Sequence, residues 1–151
     1  MFVQESVLFK DLGPEFMGEI SDAAQEESFG EEQILFNRGD PAENFYLLTQ
    51  GSVSLFIEEG GVLNFTVDHP GDVFGWSALV EPNVYTASAR CAAGTTVLKF
   101  DRTGLEHIFS KNPRVAYMVM RRLAGAIGQR LERAYEAHLR SRVDLGTPSY
   151  G

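Results

Sequence analysis

Between residues 33 and 100 the chain repeats one pattern: a short run in which apolar and polar residues alternate, then a turn rich in glycine. Alternation of period two puts every second side chain on one face of an extended strand, and an apolar face of that kind has to be buried. Ile34 and Phe36 open the series, which Arg38-Gly39-Asp40-Pro41 interrupts. Phe45 to Thr49 is a second strand, turning at Gln50-Gly51. Val53, Leu55 and Ile57 form the inward set of a third, closing at Glu59-Gly60-Gly61, and Leu63, Phe65 and Val67 give a fourth, ending at His69-Pro70-Gly71. After a helical interruption, Tyr85 to Ala92 and Thr95 to Phe100 supply two more. Short strands punctuated this regularly specify an antiparallel sandwich or barrel of the jelly-roll kind.

Helical spacing flanks this region. Phe9, Leu12, Phe16, Ile20 and Ala24 recur at three- and four-residue steps, and Pro14 suits the first turn of a helix. The expectation is a short helix followed by a longer one over about 14–25. Asp101 reads as an N-cap opening a helix through Ser110, Asn112-Pro113 breaks it, and a long helix follows over about 114–140. The predicted class is mainly β with flanking α: an antiparallel β jelly-roll barrel over about 26–100, N-terminal helices and a long C-terminal helix. Residues 1–140 read as one domain and 141–151 as a tail.

Charge is divided unevenly. Residues 1–98 carry three bases against sixteen acids, a net −13, whereas residues 99–151 carry ten bases against five acids, a net +5. The acidic body argues against nucleic acid as a direct partner. No apolar run approaches the roughly 18–20 residues that cross a bilayer, so no membrane partner is expected. Cys91 is the single cysteine, which excludes an internal disulfide and fits a reducing cytoplasm, the expected location. His69, His107 and His138 are scattered without an H-x-H or H-x-x-x-H pair, so neither a bound metal nor a metal-dependent barrel enzyme is expected.

Several segments, in order, carry a more specific signal. Arg38-Gly39-Asp40, Phe45-Tyr46-Leu47-Leu48, Gly51-Ser52-Val53, Gly71-Asp72-Val73-Phe74-Gly75, Ala78-Leu79 and Thr86-Ala87-Ser88-Ala89-Arg90 together resemble the cyclic-nucleotide-binding domain family, in the manner of catabolite-activator-like, Crp-Fnr-type sensor domains. The likeness covers roughly residues 6 to 135. It implies a regulatory protein of signal transduction and not an enzyme, with cAMP or cGMP as the nominal ligand and no required cofactor. It also implies a phosphate-binding cassette built from Phe74, Gly75, Trp76, Ser77, Ala78, Leu79, Tyr85, Thr86 and Ala87. In the family, free backbone N–H groups of a short helix meet the cyclic phosphate, an arginine neutralises it, and a glutamate accepts from the ribose hydroxyl.

The cassette of this chain departs from that pattern at both charged positions. Gly75 would permit close approach, the N–H groups of Trp76, Ser77 and Ala78 would face the pocket, and Thr86 holds the hydroxyl position. Trp76, however, stands where the family has Glu, and Tyr85 where it has Arg. Losing the sole cation for a buried phosphate costs roughly 2–5 kcal/mol, and losing the ribose acceptor about 1.5–3 kcal/mol more. Weak or absent cAMP binding is the expectation. Trp76 and Tyr85 either pack on each other as core aromatics or line a pocket for another flat or apolar ligand. Arg90, read as facing away from Tyr85, is expected to serve a structural ion pair.

On the long helix the resemblance places a lid at Leu123, Ala126 and Ile127, where Ala126 and Ile127 offer a base no hydroxyl. Met120, Ala124, Ile127, Leu131 and Ala134 recur at four- and three-residue steps, the seam of a coiled coil, and predict a homodimer through this helix. Val115, Val119 and Leu123 form a second apolar set for the barrel. Arg121, Arg122, Arg130, Arg133 and Arg140 are expected on the wet sides. No helix-turn-helix domain is expected after this helix. Two rivals stand beside the sensor reading: a ligand-blind dimeric scaffold with an unknown protein partner, and a cupin-like barrel enzyme.

Overall fold

Alternation in the sequence becomes two four-stranded antiparallel sheets in the computed structural model, which describes residues 6–58 and 64–144. The expected turn at Glu59-Gly60-Gly61, the start of the fourth strand at Leu63, and residues 145–151 of the expected tail lie outside the described residues. The elements are α1 (Pro14–Ala23), β1 (Gln25–Phe29), β2 (Ile34–Phe36), β3 (Asn44–Gln50), β4 (Val53–Phe56), β5 (Asn64–Val67), β6 (Val73–Phe74), a 3-10 turn (Trp76–Ala78), β7 (Ser88–Cys91), β8 (Thr95–Asp101), α2 (Arg102–Lys111) and α3 (Pro113–Asp144).

One sheet runs β1-β8-β3-β6 and the other β2-β7-β4-β5. Tyr46, Leu48 and Val97 of the first turn toward the second, whose Phe36, Val53, Leu55 and Ala89 face them, while Phe45, Leu47 and Phe100 lie on the first sheet's other face, and all of them belong to one core. The mainly antiparallel jelly-roll architecture with a long C-terminal helix is as predicted, although the sheets form two layers and not a ring closed by hydrogen bonds. Two aromatic groups pack on opposite faces of the first sheet. Phe9, Phe45 and Phe100 pack at 5.7–6.3 Å between ring centres; Phe36, Tyr46 and Phe74 pack at 5.0–6.4 Å. Each such ring removed from water contributes roughly 1.5–3 kcal/mol.

Several local expectations change. Residues 6–12 form turns and not a first helix; the buried Ser6 hydroxyl accepts the Phe9 N–H at 3.0 Å. The following helix ends at Ala23, and residues 25–29 form β1, a strand not predicted. Its sequence, Gln-Glu-Glu-Ser-Phe, lacks apolar alternation because it is an edge strand whose side chains are largely wet. Pairing with β8 holds it, with Glu27 and Lys99 joined at 2.5 Å. Ile57 is 40% exposed, since β4 stops at Phe56. The strand expected from Tyr85 spans only Ser88–Cys91.

Other signals read as predicted. Gly51 has φ +104°, and a Cβ there would collide with the Gly94 carbonyl oxygen and with Thr95, so the β3–β4 turn requires glycine. Asp101 caps α2 by accepting the Gly104 N–H at 3.2 Å. Helix α3 runs to Asp144, four residues beyond the expected boundary. Its Val115, Val119, Met120, Leu123 and Ile127 pack on the core. Arg122, expected on the wet side, turns inward instead: its Nη1 donates to the carbonyls of Leu8 at 3.2 Å and Lys10 at 2.6 Å, tying α3 to the N-terminal turns.

Candidate functional site

The cassette begins where β6 leaves the sheet. Val73 and Phe74 pair with Leu47 and Tyr46 of β3, and Gly75 then enters the left-handed region at φ 73°, ψ 29°. A Cβ on Gly75 would lie 3.0 Å from the Tyr46 ring and 3.3 Å from the Asn44 carbonyl oxygen, so barrel packing by itself demands glycine here. The 3-10 turn Trp76–Ala78 follows. The Ala78 N–H, expected to face a ligand, is spent within the turn on the Gly75 carbonyl at 3.2 Å, and the Leu79 N–H on that of Trp76 at 2.8 Å. Leu79 closes the turn as its C-cap.

Asn83 holds the far end of this loop. Its side-chain amide donates to the carbonyls of Ser77, Ala78 and Val80 at 3.0, 3.3 and 2.9 Å, and its own backbone takes φ +61°. The sequence reading passed over it. The only signal was an Asn directly after Pro82, a common turn pair.

Tyr85 is 5% exposed and fully partnered. Its backbone N–H donates to the Asp40 carbonyl at 3.0 Å, and its carbonyl accepts from Gly39 N–H at 2.9 Å, so the Arg38-Gly39-Asp40 segment clasps it. Its ring stacks on Phe36 with centres 3.7 Å apart and planes 9° from parallel. Its hydroxyl donates to the Asn44 carbonyl at 2.7 Å and accepts the Asn44 N–H at 3.3 Å. Because β6 ends opposite Tyr46, it supplies no partner for Asn44, and the phenol takes that place. Burial pushes the phenol's pKa up, the Asn44 bond opposes it, and Glu43 and Asp40 add to the rise.

Tyr85 and Trp76 therefore do not stack on each other; each has found another partner. Trp76 lies beneath the guanidinium of Arg130, which is 4.6 Å from the indole centre. Arg130 is not on the wet side of α3. Its Nη2 donates to the carbonyl of Val73, while its Nη1 is buried without any hydrogen-bond partner. Burial lowers the guanidinium's pKa, Asp72 partly restores it, and Arg133 lowers it further. An unmet buried donor of this kind costs about 1–3 kcal/mol, more for a charged group. Arg130 lies seven residues after Leu123 and three after Ile127, so a reading of α3 centred on the barrel-facing stripe would have found it.

Phe36, Gly75, Trp76, Ser77, Tyr85, Thr86, Ala87 and Arg130 enclose a cavity of about 40 Å³, the size of a few waters. The structure thus brings the expected cassette residues Gly75, Trp76, Ser77, Tyr85, Thr86 and Ala87 together, while Phe74 and Ala78 are buried in the core behind them. Thr86 is exposed at the rim. Beside this space lies a second cavity of about 290 Å³ between the β4–β5 hairpin and α3, walled by Leu55, Phe65, Trp76, Ile127, Leu131 and Ala134 among others, and again by Arg130. Of the expected lid, Ile127 faces this larger cavity, Leu123 is buried in the core, and Ala126 borders a third space with Asp72 and Arg133.

The expected dimer seam is split by the same geometry. Met120 and Ile127 pack on the core, Ile127, Leu131 and Ala134 line the cavity, and Ala124 is exposed. Among the described residues, the large apolar side chains that α3 leaves exposed are Tyr117, Met118, Leu131, Tyr135 and Leu139. Arg90 sits away from the cassette, over the Phe56 ring at 4.9 Å. Among the described residues no group of three His, Cys, Asp or Glu side chains converges, and no helix is long and apolar enough to cross a membrane.

Known proteins share this fold. Residues 26–112 match the family model of the cyclic nucleotide-binding domain. The chain is 28% identical over 107 residues to a cAMP-dependent protein kinase regulatory subunit of Hypocrea atroviridis, covering 71% of this chain and 22% of that protein. It is 23% identical over 119 residues to a CRP-like cAMP-activated global transcriptional regulator of Mycobacterium tuberculosis, covering 78% and 53%. It thus spans about a fifth of the first relative and about half of the second. Among solved structures, a Geobacter metallireducens protein described as cyclic nucleotide-binding superposes with TM-score 0.76 at 28% identity, over 85% of this chain and 95% of that one. The catabolite activator protein of Thermus thermophilus superposes with TM-score 0.68 at 27% identity, over 90% and 63%.

Proposed function

This chain belongs to the cyclic nucleotide-binding domain family, and from that premise we propose that it is a regulatory sensor domain of signal transduction whose cassette has given up tight binding of cAMP and cGMP. The observation that carries the reading is Tyr85. It occupies the place of the family's cation, and stacking on Phe36 and both bonds to Asn44 commit it to the barrel. It brings no positive charge to the small cavity and has no free hydroxyl capacity to turn toward a phosphate. Trp76, in the glutamate's place, supports the same conclusion, since an indole under a guanidinium accepts nothing from a ribose.

Calorimetric titration of cAMP and of cGMP into the purified protein tests this. The expected result is a dissociation constant near millimolar or no measurable heat. A value near or below about one micromolar, some 8 kcal/mol of binding free energy, would overturn the reading.

The proposed output is α3. Its inner face closes the larger cavity, and its outer stripe of Tyr117, Tyr135 and Leu139 is exposed apolar surface suited to a second copy of the helix. Occupancy of the cavity would shift α3 and so change what that stripe docks against. The protein is proposed to act in the cytoplasm, as a homodimer that engages a further protein partner and neither nucleic acid nor membrane, and not as an enzyme. The same exposed stripe favours the second reading, a ligand-blind scaffold that keeps the fold to present α3. A broad ligand screen without a hit, together with a partner retained through residues 114–140, would favour it.

A further inference from the structure

The cavity between the β4–β5 hairpin and α3 has about 290 Å³ of space, at the lower end of small-molecule sites. Among the described residues its walls are aliphatic and aromatic, apart from the exposed Thr86 and a single charged group, Arg130. That guanidinium is held in place on two sides, by the Trp76 ring below it and the Val73 carbonyl at Nη2. On its remaining side Nη1 is buried with nothing to donate to, and no carboxylate pairs with Arg130 among the described residues. A fixed, desolvated cation with a vacant donor at the edge of an apolar cavity is the complement of one kind of molecule.

We propose that this cavity binds an organic monoanion with an apolar body of roughly ten carbon atoms, whose carboxylate accepts from the Arg130 guanidinium once a slight turn brings the sealed Nη1 to the cavity, and whose body lies against Leu55, Phe65, Ile127 and Leu131. Arg130 is the specificity-determining residue. It charges the site from the helix side, whereas the family's cassette does so from the barrel side. A cyclic nucleotide suits these walls poorly, because its base and ribose edges would meet no polar partner on Phe65, Ile127 or Leu131. A ligand held at Arg130 and Leu131 would bridge barrel and α3, which makes it a natural driver of the helix movement. The inference rests on the reading that the cassette no longer serves cAMP.

Trp76 is the only tryptophan of the chain and lies on the cavity wall, so its fluorescence reports occupancy. Decanoate, decanol and cAMP are titrated separately into the full chain, with calorimetry in parallel. Decanoate should bind saturably in the micromolar range and decanol at least about tenfold more weakly, since only the former meets the guanidinium. Arg130→Met should weaken decanoate at least about tenfold and leave decanol unchanged, with Arg130→Lys intermediate. Ala134→Phe, which fills the cavity without touching the cassette, should abolish both. Equal binding of acid and alcohol to the wild-type protein overturns the proposal without recourse to any variant. No saturable response to decanoate overturns it while leaving the loss of cAMP binding intact. Tight cAMP binding overturns both together.

Discussion

Arg130, just past the middle of α3, and Trp76 in the cassette form a cation–π pair, guanidinium carbon 4.6 Å from the ring centre, that joins the helix to the barrel at the edge of the larger cavity. The pair gives Arg130 a fixed position and leaves one of its nitrogens without an acceptor. A buried cation in that condition contributes little to folding, because desolvation offsets what the aromatic contact returns.

The first prediction concerns stability. Arg130→Met keeps the apolar stem and removes both charge and orphan donor. Chemical unfolding should show stability unchanged or raised by up to about 1 kcal/mol. A loss above about 2 kcal/mol would mean that the Val73 bond and the Trp76 stack outweigh the burial of charge.

Restoring the cassette is the second. Trp76→Glu with Tyr85→Arg returns a carboxylate and a cation to the cavity bordered by Ser77, Thr86 and Ala87. The double variant should gain at least about tenfold in cAMP affinity, some 1.4 kcal/mol. The geometry also predicts an uneven division of that gain. A glutamate at 76 would find Arg130 within reach and pair with it, so arginine at 85 should supply most of the effect. Losing the Asn44 bonds and the Phe36 stack should lower stability by about 2 kcal/mol. A folded double variant with no gain in calorimetry would show that the loss lies in the backbone as well.

Dimerisation supplies the third. Light scattering at tens of micromolar (about the range in which a weak dimer forms) should show a homodimer. Tyr135→Asp, which charges the outer stripe of α3 without reaching the core, should give monomers of unchanged thermal stability per chain. A wild-type monomer under those conditions removes the dimer from the account. Ile127→Asp would test less cleanly, because Ile127 also packs on the barrel.

Alkaline pH is the fourth. Burial raises the pKa of Tyr46, Tyr85 and Cys91 above the ordinary 10.0, 10.0 and 9.0. The unfolded chain therefore releases these protons first as pH rises, and binds fewer protons than the native state. Stability from these groups is fully present below about pH 8. It falls from about pH 9 as the unfolded thiol ionises and more steeply above pH 10, at up to about 1.4 kcal/mol per pH unit for each tyrosine. Urea unfolding between pH 8 and 11 measures this. Tyr85→Phe should cost about 1–2 kcal/mol at pH 8, where Asn44 loses its partner, and should flatten the decline above pH 10. A profile flat to pH 11 in the wild type would contradict the burial assigned to both phenols.

Much of the architecture was legible because it depends on local rules. Period-two alternation located most of the strands, Asp101 announced α2, and Gly51 and Gly75 marked backbone conformations that other residues adopt only under strain. The polar edge strand β1 escaped because pairing with β8 replaces the apolar face that alternation detects. Trp76 and Tyr85, at the positions where the resemblance implies charged residues, were equally plain, being a matter of residue identity alone.

What those residues do instead was a tertiary decision. That Tyr85 satisfies Asn44, 41 residues away in sequence, depends on where β6 stops. That Arg130 points inward depends on the rotation of α3 about its own axis. Four- and three-residue spacing defines a stripe on a helix but not which of two adjoining stripes faces the barrel. The sequence by itself determined a jelly-roll fold with a long C-terminal helix, since backbone propensity and burial pattern act over a few residues. The position of a cation in the cavity was left to packing, because only the docked helix brings residue 130 over residue 76.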